Sequence, residues 1–324
     1  MKASHTVHKQ QISLTQKNIL AGRNLATLPD IPDIRDRYYE PALIPLKAEM
    51  APRPGAAILD QGTDGACTGF GLAAVINALL AEQGIARQVS PWMLYEMARC
   101  HDEWPGESYV GSSPRGALRG WANNGVCPAD LWGQPGGILT PECAKAARDV
   151  TIGAYYRLRP ELVDFHAALN ECGVLYVSAA VHQGWEKPKR LLHDGHKAKL
   201  MTIIPSSQLA GYHAFAVVGY NDKGFWVQNS WGPGWGDDGV SLWLYEDWAA
   251  NIQDAWVVRL ALATPQMFGI VPGRSGRKRN GFLGGRNPRP APTTPAISFI
   301  SMMATSVHGS PIGATRTMRT TLPE

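Results

Sequence analysis

One cysteine, Cys67, stands where a turn built from Gly62, Asp64 and Gly65 runs into an Ala- and Leu-rich stretch ending near Leu80. The stretch predicts a hydrophobic helix with the thiol in its first turn. There the unpaired backbone N–H groups and the helix dipole favour thiolate over thiol. Gln61, six residues earlier, offers a side-chain amide; His213 and Asn229, 16 residues apart, lie in the second half of the chain. Cysteine acyl transfer needs a thiolate, a base that later protonates the leaving group, a group that orients the base, and donors for the oxyanion. Cys67, His213, Asn229 and Gln61 supply those types in that order, with the backbone N–H of Cys67 as a second oxyanion donor. A lone cysteine on an apolar helix is ordinarily an inert small hydrophobe. The helix-start position, the nearby amide and the His/Asn pair set Cys67 apart.

The elements that must position these groups follow from patterning. The helix after Cys67 carries Phe70, Ala73, Ala74, Ile76, Asn77 and Leu80, an apolar stripe too broad for a surface helix, so it is expected at the centre. Ser90-Pro91 and Ser113-Pro114 each read as an N-cap followed by proline at the first helical position; Asn124-Gly125 closes the second of those helices, and Pro141 opens a short one through Ala147. A short strand-like run covers 57–60. Beyond 150 the character changes. Strands are predicted at 151–158, 174–181, 213–220, 224–229, 240–244 and 255–262, with a short helix over 161–170. His213 opens one strand and Asn229 closes the next, so adjacent antiparallel strands would bring their side chains into hydrogen-bond reach. A helical first half and a strand-rich second half give an α+β fold in two lobes with a cleft between them.

At 324 residues the chain has ample material for a core. Residues 1–28 are polar and aperiodic and read as a flexible leader, 29–264 as the folded part (helical lobe about 57–150, β-rich lobe about 151–264), and 265–324 as a disordered basic tail. That tail carries +7 of a net +4, so the rest of the chain carries about −3. The Arg/Lys cluster at 274–279 reads as a solubilising tail; with no groove-reading motif beside it, no specific nucleic-acid partner is expected. Five cysteines without a C-x-x-C pair argue against a disulfide framework or zinc site. Cys100, Cys127, Cys143 and Cys172 read as buried or passive thiols, and His193-Asp-Gly-His196 as solvated surface, so neither metal nor cofactor is expected. No apolar run is long enough to span a membrane and no signal-peptide pattern opens the chain, which together predict a cytoplasmic protein.

The segment Gln228-Asn-Ser-Trp-Gly-Pro-Gly-Trp-Gly-Asp-Asp-Gly239 resembles the Asn-Ser-Trp-Gly-x-x-Trp-Gly-x-x-Gly signature of the papain-like cysteine peptidases (C1 type). His213, in Tyr-His-Ala-Phe-Ala-Val-Val-Gly-Tyr, and Gln61-Gly62 with Cys67 match that family in order and spacing over roughly residues 30–264. The resemblance implies a papain-like fold with a helical first lobe and an antiparallel, β-barrel-like second lobe. It implies Cys67 as nucleophile, His213 as general acid/base, Asn229 as its orienter and Gln61 as oxyanion donor, with Trp231 shielding the His213/Asn229 hydrogen bond. It implies that Gly111 and Ser112 pair with an extended peptide or protein substrate. Several positions depart from the pattern. Asp64 and Tyr109 replace a disulfide, Thr68 replaces an aromatic residue after the nucleophile, Ser112 replaces a glycine, and the long inhibitory propeptide has no counterpart. The expected activity is peptide-bond hydrolysis; a transpeptidase, amidase or deamidase would use the same four residues, and a non-catalytic binding module is the rival from another class.

Overall fold

The computed structural model describes residues 19–20, 22–52, 57–103 and 110–261. All of them fall in the first of two units, Met1–Ile270. The Ala- and Leu-rich stretch forms α1 (Cys67–Glu82), buried along nearly its whole length. Apolar on every side, it must be covered on every side. On one side lie α2 (Pro91–His101) and α3 (Pro114–Asn124). Both start as the Ser-Pro pairs dictate: the Ser90 hydroxyl accepts the Met93 N–H, and that of Ser113 the Gly116 N–H. Gly125, at φ 68°, ends α3 in a backbone region that disfavours side chains. Thr140 caps α4 (Pro141–Ala147). Leu72, Val75, Ile76, Leu94, Leu118 and Trp121 form the heart of this lobe.

The second lobe holds β3 (Ile152–Arg157), α5 (Leu162–Cys172), β4 (Leu175–His182), β5 (Lys189–Leu191), β6 (Leu200–Thr202), β7 (Leu209–Tyr220), β8 (Gly224–Gln228), β9 (Val240–Leu244), α6 (Tyr245–Asn251) and β10 (Ile252–Leu260). The eight strands form one sheet in the order β3-β10-β4-β7-β8-β9-β6-β5. All pairings are antiparallel except β6 with β9. This is the expected α+β two-lobe architecture. Periodicity did not pick out β5, β6 or α6, each too short to give a clear signal, and residues 57–60 make a single bridge, Asp60 to Trp231, rather than a strand.

Strand β7 serves both lobes. Its alternating side chains divide between two cores: Ala214, Ala216 and Val218 join the cluster around α1, while Phe215 and Val217 join Trp185, Trp243 and Phe225 on the other face. Small residues let α1 lie directly on it. A Cβ on Gly71 would stand 2.9 Å from the Phe215 backbone nitrogen, and one on Gly69 would stand 2.3 Å from the Pro91 carbonyl oxygen of α2.

Part of the leader differs from expectation. Residues 19–20 and 23–24 pair as β1 (Ile19–Leu20) and β2 (Arg23–Asn24), and Ala26 and Thr27 bridge to Tyr212 and Ser112 in parallel. Leu20 and Leu25 are fully buried. Average polarity made this stretch look unanchored; two leucines and a row of backbone groups are enough to hold it. Residues 1–18, 21 and 262–324 lie outside the described residues, and with them the rest of the expected flexible leader and the basic tail.

Gly71→Val is expected to destabilise the protein by about 1–3 kcal/mol by forcing α1 off β7, measured by urea unfolding. An unchanged midpoint would show that the helix has room to shift.

Candidate active site

Cys67 is the first residue of α1, as predicted, and Ala66 precedes it without a side-chain cap. The backbone N–H of Ala214 on β7 is hydrogen-bonded to the Cys67 sulfur, which brings a thiol of the first lobe against the strand that carries His213. His213 Nε2 and Asn229 Oδ1 are 2.7 Å apart. Asn229 Oδ1 also accepts the Ser230 N–H at 2.8 Å, which fixes the amide orientation. An amide oxygen only accepts, so Nε2 carries the ring hydrogen and Nδ1 the lone pair. His213 Nδ1 is buried and has no hydrogen-bond partner among the described residues. Register explains the pairing: His213 lies on β7, and Asn229 directly follows β8, whose Gln228 is opposite Ala216.

The Trp231 ring lies 5.0 Å from that of His213, tilted by 37°, and covers the imidazole from the loop side. Trp235 meets Trp231 edge-on and gives its Nε1–H to the Trp185 carbonyl, so it is a core residue. Gln61 is buried and held at both ends. Its Nε2 donates to the Asp64 carbonyl at 2.8 Å, and its Oε1 accepts the Ser230 hydroxyl at 2.7 Å. Ser230 therefore ties Gln61 to the Asn229 loop. Its adjacency to Asn229 is the one signal of this role in the sequence.

Two departures from the family pattern answer each other. The hydroxyls of Thr68 and Ser112 are hydrogen-bonded, both fully buried, so the two replaced positions satisfy each other. Gly111 keeps the glycine that matters: at φ 108° its missing Cβ would fall 1.9 Å from the Ala26 carbonyl oxygen. Asp64 is described and Tyr109 is not; the described cysteines are all unpaired.

The leader covers this constellation. Thr27 Oγ1 is 2.8 Å from Cys67 Sγ. The Leu28 N–H donates to the Ser112 carbonyl at 3.0 Å, Thr27 N–H to the Tyr212 carbonyl at 3.3 Å, and Tyr212 N–H to the Leu25 carbonyl at 3.4 Å. Arg23 reaches the Trp231 carbonyl and stacks over its ring at 5.4 Å. Cys67 and His213 are consequently both fully buried. Burial raises the Cys67 thiol above its usual range, against the lowering effect of the Thr27 hydroxyl and the Ala214, Thr68 and Cys67 N–H groups. Burial also lowers His213 to about 4, opposed by Asn229 and reinforced by the Arg23 charge. Thiol and imidazole are both neutral here, because each ion would be stripped of water.

Just beyond the leader strand, Asp30 enters a buried charged knot. Its N–H donates to Asp254, and its carboxylate accepts the Arg115 N–H and the Trp256 Nε1–H. Arg115 binds Asp36 and Glu103, and Arg157 binds Asp36 and Asp254. Burial first and the neighbouring Asp254 second raise Asp30 to about 7. No motif announced this knot, since its members are spread from 30 to 256.

The remaining candidates do not join the site. His193 pairs with Thr202 and His196 with Asp222. No group of three metal-ligating side chains occurs among the described residues. Cys127, Cys143 and Cys172 are buried, whereas Cys100 is exposed. No helix among the described residues is long and apolar enough to cross a membrane.

No family model matches the chain. A gut-specific cysteine proteinase of Caenorhabditis elegans is 24% identical over 270 residues, 77% of this chain and 78% of that protein. Among solved structures, xylellain, a cysteine protease from Xylella fastidiosa, is 25% identical with a TM-score of 0.64, covering 72% of this chain and 95% of that one. Digestive procathepsin L 3 of the Tenebrio molitor larval midgut, 19% identical with a TM-score of 0.54 over 69% and 73% of the two chains, shares the fold. The comparisons bear out the resemblance to papain-like cysteine peptidases, the two-lobe fold and the class of enzyme, a cysteine-type peptidase.

A lowered imidazole binds its proton less readily folded than unfolded. His213 thus contributes stability that is complete above about pH 6.5 and is lost as pH falls towards 4, an amount of about 3 kcal/mol. An NMR titration of the His213 ring in the full chain is expected to show a midpoint near 4; a midpoint near 6.5 would contradict the desolvation.

Proposed function

We propose that the chain hydrolyses peptide bonds through a cysteinyl acyl-enzyme formed on Cys67. The observation that carries this reading is the His213–Asn229 hydrogen bond, which leaves a lone pair on Nδ1, beside a helix-start thiol that receives a backbone N–H from the residue after His213. With a peptide in the cleft, His213 Nδ1 takes the Cys67 proton and the sulfur attacks the carbonyl carbon. Negative charge gathers on the carbonyl oxygen, where the Cys67 backbone N–H and the second N–H of Gln61 Nε2 donate to it; the first is engaged by Asp64. The protonated Nδ1 then gives its proton to the departing amine, leaving a thioester. Water attacks the thioester, His213 accepts its proton, and the acid departs with the thiol restored.

Asn229 acts by holding the imidazole in its tautomer, and Trp231 by keeping water from that hydrogen bond. Ser112, with Gly111 beside it, would hold the substrate as an extended strand, because the Ser112 backbone already pairs with an extended segment of this chain. The substrate class is therefore a peptide or a protein segment able to extend.

In leader-free protein, Cys67→Ala is expected to abolish hydrolysis of a peptide library while leaving the circular dichroism spectrum unchanged; appreciable residual turnover would remove Cys67 from the mechanism. Asn229→Ala should reduce kcat by orders of magnitude less than loss of Cys67 does, since orientation is only part of the catalysis. Equal losses, read from steady-state kinetics on leader-free protein, would give Asn229 a larger part than orientation.

A further inference from the structure

One edge of the eight-stranded sheet is β3, and part of that edge is bare. Backbone groups of β3 point alternately towards β10 and away from it. The Leu158 N–H donates to the Ala255 carbonyl of β10, so Arg157 before it faces outward: its N–H donates to the Arg37 carbonyl, and its carbonyl accepts the Tyr39 N–H. Residues 37–39 thus add a short parallel stretch at that end, bridged from Tyr38 to Arg157. Two residues earlier the same alternation turns the N–H and carbonyl of Tyr155 outward, and neither has a backbone partner among the described residues. A bay of about 500 Å³ opens there. Residues 152–156 all border it, although their side chains alternate between the two faces of the sheet, so the bay meets β3 along its edge. The rest of its wall is rich in arginine. Arg35, Arg37, Arg115 and Arg119 line it against Asp33 and Asp36. Glu103, which also binds Arg115 and Arg119, still leaves four cations to three carboxylates. Arg35 and Arg119 hold Asp33, and Arg115 holds Asp36; exposed Arg37 has no ion-pair partner among the described residues.

We propose that this bay is a docking site for an acidic, extended segment of a partner protein, which adds to the edge of β3 beside Tyr155 and sets its carboxylates against Arg37 and Arg119. An unpaired strand edge is best satisfied by another strand, because only backbone repeats donors and acceptors at the same spacing. The stretch already seated at Arg157 shows that this edge accepts one. Charge decides the chemistry of the incoming segment. A second copy of this chain, or a basic segment, would bring cations against the arginines. Carboxylates at alternate positions of a strand lie on one face and reach the arginines together. The site is apart from the cleft, since β3 stands three strands from β7 in the sheet, and it holds whether or not Cys67 is a nucleophile.

Fluorescence anisotropy of a labelled, acetylated octapeptide of alternating Glu and Val tests this, with the full chain carrying Cys67→Ala so that no probe is consumed. The probe is expected to bind, and to bind less tightly as salt rises. An octapeptide of alternating Lys and Val is expected not to bind. Arg37→Glu changes an exposed side chain and should weaken binding about tenfold. Arg190→Glu, on β5 at the other edge of the sheet, should leave it unchanged. Two further probes, N-methylated on every Val or on every Glu amide, read the backbone pairing without altering the protein, so this arm stands even where a variant fails to fold. One of the two should lose binding and the other keep it, because only one edge of the peptide faces β3. Equal binding of both methylated probes would make the bay a general anion site and overturns the proposal. Undiminished binding to Arg37→Glu, or no binding of the acidic probe at all, overturns it as well. So does a dimer in sedimentation that excludes the probe, which would give the edge to a second copy of the chain.

Discussion

The contact on which the site depends is that between α1 and β7. A helix normally stands well off a sheet because side chains fill the gap; here Gly71 removes the side chain and the Phe215 and Ala214 backbone comes up against the helix. That closeness brings the Ala214 N–H onto the Cys67 sulfur. Gly69 does the same towards α2, so the first turn of α1 is fixed from two sides. The thiol's position is thus set by backbone approach within two packed cores, which deform far less readily than a loop.

Around that fixed sulfur the polar groups form two chains of hydrogen bonds. One runs from Gln61 through Ser230 to Asn229 and His213, so the proposed oxyanion donor and base orienter share a single support. The other runs from the Tyr176 hydroxyl to the Thr68 carbonyl, and from the Thr68 hydroxyl to Ser112, whose backbone pairs with the leader strand. Buried polar groups are tolerated only when they are satisfied in this way. The Thr68/Ser112 pair shows how two departures from a family pattern can be one change seen twice.

The leader alters the chemistry by removing water. Thiolate and imidazolium are each favoured by hydration and by one another; with the cleft filled, both are disfavoured, and the burial that raises Cys67 also lowers His213. Arg23 adds a positive charge that further opposes a charged imidazole. A neutral pair is the form expected of a site that is assembled but covered.

The α+β order of elements, the Ser-Pro helix starts, the central burial of α1 and the pairing of His213 with Asn229 were legible in the sequence. Each is written in local residue types: caps, apolar period, and motifs whose spacing is set by short turns. Only the tertiary structure decided what surrounds them. Thr27 against the sulfur, Ser230 against Gln61, and Asp30 among Arg115, Asp254 and Trp256 are pairings between residues far apart in the chain. None of them has a local pattern, because a hydrogen bond between distant segments constrains where the chain goes and leaves composition and period unchanged. The leader makes the difference plain: its residues average as polar and irregular, yet an extended strand needs only backbone groups and a few buried side chains to be held, and whether partners for them exist is a property of the folded cleft.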